Sequence, residues 1–413
     1  MDFKKKKSLR KPARGLRKLF KMAIPSIITG GAGDDPAGVL TYTTVGATTG
    51  FSQLWLLVIT TPMLVASISM AERIARTTRI GLIAVLRDRY GRIAAGLMMV
   101  LLLIANISVI SADVSAVSEV LQILTGIRWE WFVPVILGVL FLLLRKGYAR
   151  TRRILTFFAL GLLVYALSAF MARPDWGKVL QSMVLPQVIL KRTWMLAALG
   201  LIGATVSPYM LFWQGDEEIE ELRHGSSGSE NNQGAIWGGM IFSNVVALFI
   251  IIAAAMVLHG SGGQISTVLD AAKALSPLGK IGDLAFILGI LGAGFLALPV
   301  FAGSTAFAVA EFFGWREGLD EPVDKAKGYY FVLGATLLGG AIISLIPNFN
   351  PTDALFYSQV LNGILLPVIM VVLLMLSNDQ KVVGTYRNPL WVNLVGVFTI
   401  FVALAANLAA LFG

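Results

Sequence analysis

The sequence predicts an all-α integral membrane protein of about eleven transmembrane helices, arranged as a five-plus-five inverted repeat with helices 1 and 6 broken. Three observations predict it. Of the 413 residues, 56% are hydrophobic and only 14% charged, and the mean hydropathy is +0.75, too apolar for a domain whose main solvent is water. Apolar windows long enough to cross a hydrocarbon core of about 30 Å recur along the whole chain. Two of these windows, five spans apart, carry small residues, a polar residue and proline at mid-span.

In chain order, residues 1–21 form a basic tail with ten Lys or Arg, including Lys4-Lys5-Lys6-Lys7. Such a run abutting an apolar segment reads as a topology signal rather than a nucleic-acid site. The apolar stretch from Met22 runs past signal-peptide length, holds Asp34-Asp35-Pro36 and lacks a convincing cleavage site, so it is expected to stay as the first helix. The windows lie at 22–46, 52–74, 94–124, 131–146, 154–171, 192–214, 234–259, 281–313, 328–346, 353–377 and 390–412. The first five make one repeat (22–171) and the next five its inverted partner (192–377). The segment 390–412 is an added eleventh helix. An N-terminus inside places 27 of the 34 Lys and Arg on the cytoplasmic side, the orientation that basic loops select. The acidic run Asp216-Glu217-Glu218-Ile219-Glu220-Glu221 then reads as a solvated inner loop, and 225–234 as a flexible linker. The location implied is a prokaryotic cell (inner) membrane, with the N-terminus cytoplasmic.

The two breaks read Gly30-Gly31-Ala32-Gly33-Asp34-Asp35-Pro36-Ala37-Gly38 and Gly203-Ala204-Thr205-Val206-Ser207-Pro208-Tyr209. Proline removes a backbone donor and clashes with the preceding turn. Unwound backbone survives at membrane depth only against protein or a water-filled cavity. Paired breaks in inverted repeats place a substrate between them near the midplane.

Asp35 is the leading functional candidate, since a mid-membrane carboxylate is costly and persists with a partner or a function; its structural alternative is a helix cap before Pro36. Asp34 points elsewhere and is cavity-lining or structural. In span six the Ala204 carbonyl, freed before Pro208, suits a cation, while amides after Pro208 suit an anion. Ser207 and Tyr209 add hydroxyls at that depth, and Thr205 lies beside them. The competing reading is that these groups only cap a kinked helix.

Ser108, Ser111, Ser115, Ser118 and Gln122 share one face of span three, suited to helix packing or to a wet pathway. Asp113 sits on another face, paired within the bundle. Gln359 and Asn362 in span ten either close over a substrate or bond between helices. Glu311 is expected at the interface, and Pro299 should kink span eight. Cysteine is absent, which excludes disulfides, Fe–S clusters and thiolate metal sites. The two histidines, His224 and His259, lie outside mid-membrane positions, which disfavours a histidine proton relay. No nucleotide-binding loop, nucleophile elbow or nucleic-acid module appears. The sequence therefore implies no enzyme activity and no cofactor.

At the breaks the sequence resembles the NRAMP (natural resistance-associated macrophage protein) divalent-metal transporters, which have a LeuT-type inverted repeat. The family's first-helix Asp-Pro-Gly-Asn reads Asp35-Pro36-Ala37-Gly38 here. Gly46-Ala47-Thr48-Thr49-Gly50-Phe51-Ser52-Gln53-Leu54-Trp55 is similar to the family's entry to span two. The sixth-helix Gly-Ala-Thr-Val-Met-Pro-His reads Gly203-Ala204-Thr205-Val206-Ser207-Pro208-Tyr209. Looser similarity covers Asp113, the end of span eight, and Ser358-Gln359-Val360 with Leu366-Pro367.

The resemblance implies a metal site on Asp35 and the Ala204 carbonyl. Two family ligands are replaced: Asn by Gly38 and the Met thioether by Ser207. Hard oxygen donors without a thioether suit ions such as Mg²⁺. The family's proton-linked groups are also replaced, with Tyr209 for His, Ala116 for an acid and no Arg in 328–346. The expectation is a secondary transporter of a hard divalent cation, Mg²⁺, held by Asp35, Ala204 and Ser207 under Gln359, without the family's proton coupling. The alternative is a small-anion (bicarbonate) transporter using the amide ends after Pro36 and Pro208, with or without a co-transported cation or proton. A third reading, a scaffold that transports nothing, has no need of unwound helices. The implied partners are a small inorganic ion and the lipid bilayer, with no nucleic acid; oligomeric state stays open.

Overall fold

The computed structural model describes residues 35–145, 160–223, 231–260, 265–318 and 321–412, and within them the chain is helical with no strand. The basic tail, Asp34 and the N-terminal side of the first break lie outside the described residues.

In chain order α1 is Pro36–Thr49, α2 Leu54–Thr78, α3 Leu82–Tyr90, α4 Arg92–Thr125, α5 Phe132–Arg145, α6 Val164–Met171, α7 Trp176–Val184 and α8 Arg192–Thr205. They are followed by α9 Pro208–Arg223, α10 Asn231–Val257, α11 Lys280–Phe313, α12 Lys327–Ser344, α13 Pro351–Asn378 and α14 Leu390–Phe412. Each of the eleven apolar windows meets one of these helices, and the span-six window meets two. Among the described residues, seven helical segments have the length and apolarity to cross a membrane, and 129–143 and 161–171 are shorter apolar helices.

Helix ends follow local chemistry. Asn350 caps α13 by accepting from Thr352 N at 3.0 Å and Asp353 N at 3.3 Å, with Pro351 as first helical residue. Between α8 and α9, Val206 has φ −111° and ψ 69°, and Pro208 starts the new helix. Proline has no amide to offer the Ala204 carbonyl, so the ladder stops there.

α1 is packed by α10, α8, α13 and α4, and its residues from Pro36 to Thr43 are buried. This explains its unpatterned apolarity: a helix enclosed on every side needs no polar face. A Cβ at Gly46 would lie 2.8 Å from Ala254 Cβ and 3.0 Å from Ala255 N, so glycine is what lets α1 sit against α10. α14 covers α13, α8 and α2 and leaves Phe401 and Leu411 exposed, as an outermost helix in lipid would.

Three sequence expectations are corrected. The acidic run 216–221 is part of α9, with Asp216 and Glu218 buried; Glu218 takes the Arg76 guanidinium at 2.8 Å. Glu311 is buried, not interfacial: its Oε2 accepts from Ile83 N at 2.8 Å and Ala84 N at 3.1 Å, supplying the cap that Gly81 lacks at the start of α3. Residues 231–234 of the supposed linker are helical, while 224–230, with His224, lie outside the described residues.

Candidate functional site

The site starts at the N-terminus of α1. Asp35 has extended backbone and its Oδ1 accepts from Gly38 N at 2.6 Å, the geometry of an N-cap. Asp113 in α4, 76 residues after Ala37, accepts from Ala37 N through its own Oδ1 at 3.1 Å. Two carboxylates therefore hold adjacent amides of one helix start, where backbone N–H groups and the helix dipole favour negative charge.

From α13, Gln359 Nε2 donates to Asp35 Oδ2 at 3.2 Å, and Asn362 Nδ2 donates to Gln359 Oε1 at 2.9 Å. Asn362, Gln359 and Asp35 thus form a directed chain that orients the Asp35 carboxylate. Gln359 is hydrogen-bonded between helices, one of the two readings of the sequence, whereas Asn362 bonds within α13.

The second break reaches the same place through backbone packing. A Cβ at Gly203 would lie 2.5 Å from Gly363 N and collide with the Gln359 carbonyl, so α8 is pressed on the turn of α13 that bears Gln359. Within the break the Ser207 hydroxyl donates to Gly203 O at 2.8 Å and Ala204 O at 3.1 Å, and Thr205 donates to Leu201 O at 2.7 Å. The capping reading of Ser207 is realised here, while its oxygen lone pairs stay available to a cation. Tyr209 is buried, edge-on to Phe301 with centroids 4.2 Å apart.

Electrostatically the site is acidic and buried. Asp35 is 2% exposed and Asp113 0%, and no Lys, Arg or His among the described residues acts on either. Asp113 Oδ2 is buried with no hydrogen-bond partner. An uncompensated carboxylate oxygen in such surroundings costs several kcal/mol or about that order unless a cation or proton meets it. No group of three or more His, Cys, Asp or Glu among the described residues is placed to hold a metal. A cation bound here therefore has to complete its shell with backbone carbonyls, hydroxyls, amide oxygens or water.

The residues 46–55 serve the scaffold. Gln53 Nε2 donates to Trp194 O at 2.7 Å, and Trp194 Nε1 donates back to Ser52 Oγ at 2.8 Å. This reciprocal pair fastens the α1–α2 corner to the start of α8, fixing one broken helix relative to the other.

Compared with known proteins, residues 26–413 match the family model "Natural resistance-associated macrophage protein-like". The chain belongs to the Nramp family. It is 26% identical to a protein of Nostoc named a divalent metal cation transporter MntH, over 95% of this chain and 90% of that one. It is likewise 26% identical to the protein of that name from Brucella suis, over 92% and 85%. A crystal structure of the Eremococcus coleocola manganese transporter superposes with TM-score 0.74 at 18% identity, covering 97% of this chain and 88% of that one. MhsT in complex with L-phenylalanine gives TM-score 0.61 at 14% identity, covering 94% and 98%. These likenesses show the LeuT-type fold anticipated from the paired breaks. As a Nramp member the chain is a multi-pass membrane transporter and not an enzyme.

Sequence reasoning assembled Asp35, Gly38, Gln359 and Asn362 at one place. It missed that Asp113 caps α1, because the link is a backbone amide 76 positions away, and a lone acid in span three was its sole signal.

Proposed function

We propose that this Nramp protein is a secondary carrier of a hard divalent cation, Mg²⁺, without the proton coupling of its family. The observation that carries the reading is the pair of buried carboxylates at the start of α1, with one oxygen of Asp113 unpartnered and no basic side chain among the described residues acting on them. The relatives from Nostoc and Brucella suis are named for divalent metal cations, which supports the charge class. Ser207, where the family has a thioether, supports a hard ion over a soft one. Asp35, the Ala204 carbonyl and Ser207 offer oxygen, and Mg²⁺ keeps several waters of its own, so a sparse protein ligand set suits it. Gln359 closes the site by holding Asp35. Tyr209 and Ala116, in place of titratable family residues, leave few groups to move a coupled proton.

The bicarbonate reading loses support at α1. The amides of Ala37 and Gly38, which an anion would need, are already taken by Asp113 and Asp35.

The test is flux into proteoliposomes, with labelled bicarbonate in one arm and Mg²⁺ or Mn²⁺ in the other. Saturable Mg²⁺ entry, indifferent to bicarbonate and to an imposed pH gradient, is the expected result. Bicarbonate uptake without any divalent cation would overturn the proposal.

A further inference from the structure

A cavity of about 700 Å³ opens at the C-terminal end of α2, lined by Ser69, Glu72, Arg73, Arg76, Thr77, Arg79 and Tyr386. It lies apart from the residues of the two breaks. Arg73, Arg76 and Arg79 recur at every third position and project from one side of the helix end. Arg76 is neutralised by Glu218 at 2.8 Å. Arg73 reaches only the Tyr386 and Arg387 carbonyls, each at 3.4 Å, and its Nε is buried without a partner. Arg79 is exposed, in a left-handed C-cap with φ +57°, and no acid among the described residues pairs with it. Glu72 is the one acid in the lining; it is buried, and Arg76 acts on it, as do Glu217, Glu218 and Glu221 of α9.

Arg73 thus lines the cavity with an incomplete hydrogen-bond set, costly unless an acceptor is supplied. Guanidinium forks match tetrahedral oxyanions. The surroundings fix the level. Tyr386 and Leu390 are 68% and 74% exposed, and Trp391 pairs with Trp237 at 5.7 Å. Exposed aromatics at helix ends mark the membrane–water interface, here on the side expected to be cytoplasmic.

We propose that this cavity binds a phosphate group, supplied by an anionic lipid headgroup or by free phosphate, between Arg73 and Arg79. The full-length protein provides the test, as wild type, Arg73→Gln and Arg79→Gln. Native mass spectrometry after reconstitution with equal phosphatidylglycerol and phosphatidylcholine reads the lipid arm. Melting in lipid-free detergent with added inorganic phosphate reads the other. In the wild type, preferential retention of phosphatidylglycerol, reduced at least fivefold in either variant, identifies a lipid source. A phosphate-dependent rise in melting temperature, lost in the variants, identifies free phosphate. Retention ratios equal in all three proteins, together with no response to phosphate, overturn the proposal. Should Arg73→Gln fail to fold, the exposed Arg79→Gln decides by the same two readouts.

Discussion

Gln359 and Asp35, 324 positions apart, are joined by a hydrogen bond from Nε2 to Oδ2 at 3.2 Å. Through it α13 sets the orientation of the carboxylate at the start of α1, and Asn362 in turn sets Gln359.

Removing that link should cost uptake more than folding. A hydrogen bond to a charged group contributes about 1.5–3 kcal/mol, so Gln359→Ala should raise the half-saturating cation concentration roughly 10- to 100-fold. Gln359→Glu, which sets two carboxylates against each other, should be worse. Concentration series of initial uptake rates check both, with melting temperature confirming that the fold survives.

Ser207→Met restores a thioether at the second break. Soft donors favour softer ions, so the ratio of Mn²⁺ to Mg²⁺ uptake should rise by about tenfold relative to the native protein. Paired uptake assays at equal concentration read it directly; an unchanged ratio means that position 207 does not face the cargo.

Gly203 is the contact on which the two breaks meet. Gly203→Ala forces α8 off α13, because the new Cβ would stand 2.5 Å from Gly363 N. Overpacking of this kind costs about 1–3 kcal/mol. A lower melting temperature with impaired uptake is expected, whereas Gly334→Ala, which meets open space in α12, should be silent.

Glu317, just beyond α11, supplies a pH dependence outside the membrane spans. Burial, then the charges of Glu311 and Glu220, push its carboxyl from 4.5 up to about 8, against the pull of Arg223. A raised carboxyl binds its proton more tightly folded than unfolded, so its contribution is fully present below pH 4.5 and is lost as pH rises through about 8. Glu317→Gln should therefore stabilise the protein at pH 8 and leave it unchanged at pH 4.5, read as melting temperature against pH.

The start of α1 at Pro36 and the break before Pro208 were legible in the sequence because proline acts locally, dictating what its own turn does wherever the helices lie. Asp35 was legible for a similar reason, since carboxylates are rare at membrane depth. Asp113 was half legible, its burial foreseeable and its bond to Ala37 N not, because that contact depends on how α4 crosses α1. The acidic run 216–221 misled. Its charge density reads as solvated loop, yet Arg76 from α2 pairs with Glu218, and α2 and α11 pack on α9. The Arg73 cavity left only a basic helix end in the sequence, and the positive-inside rule already accounted for that.

The most direct measurement is Mg²⁺ entry into proteoliposomes loaded with a Mg²⁺-sensitive dye, with native protein and Asp35→Ala compared at zero pH gradient. A saturable signal for the native protein that falls at least tenfold in Asp35→Ala is the predicted result. Equal entry in the two proteins, or entry that requires a proton gradient, would contradict it.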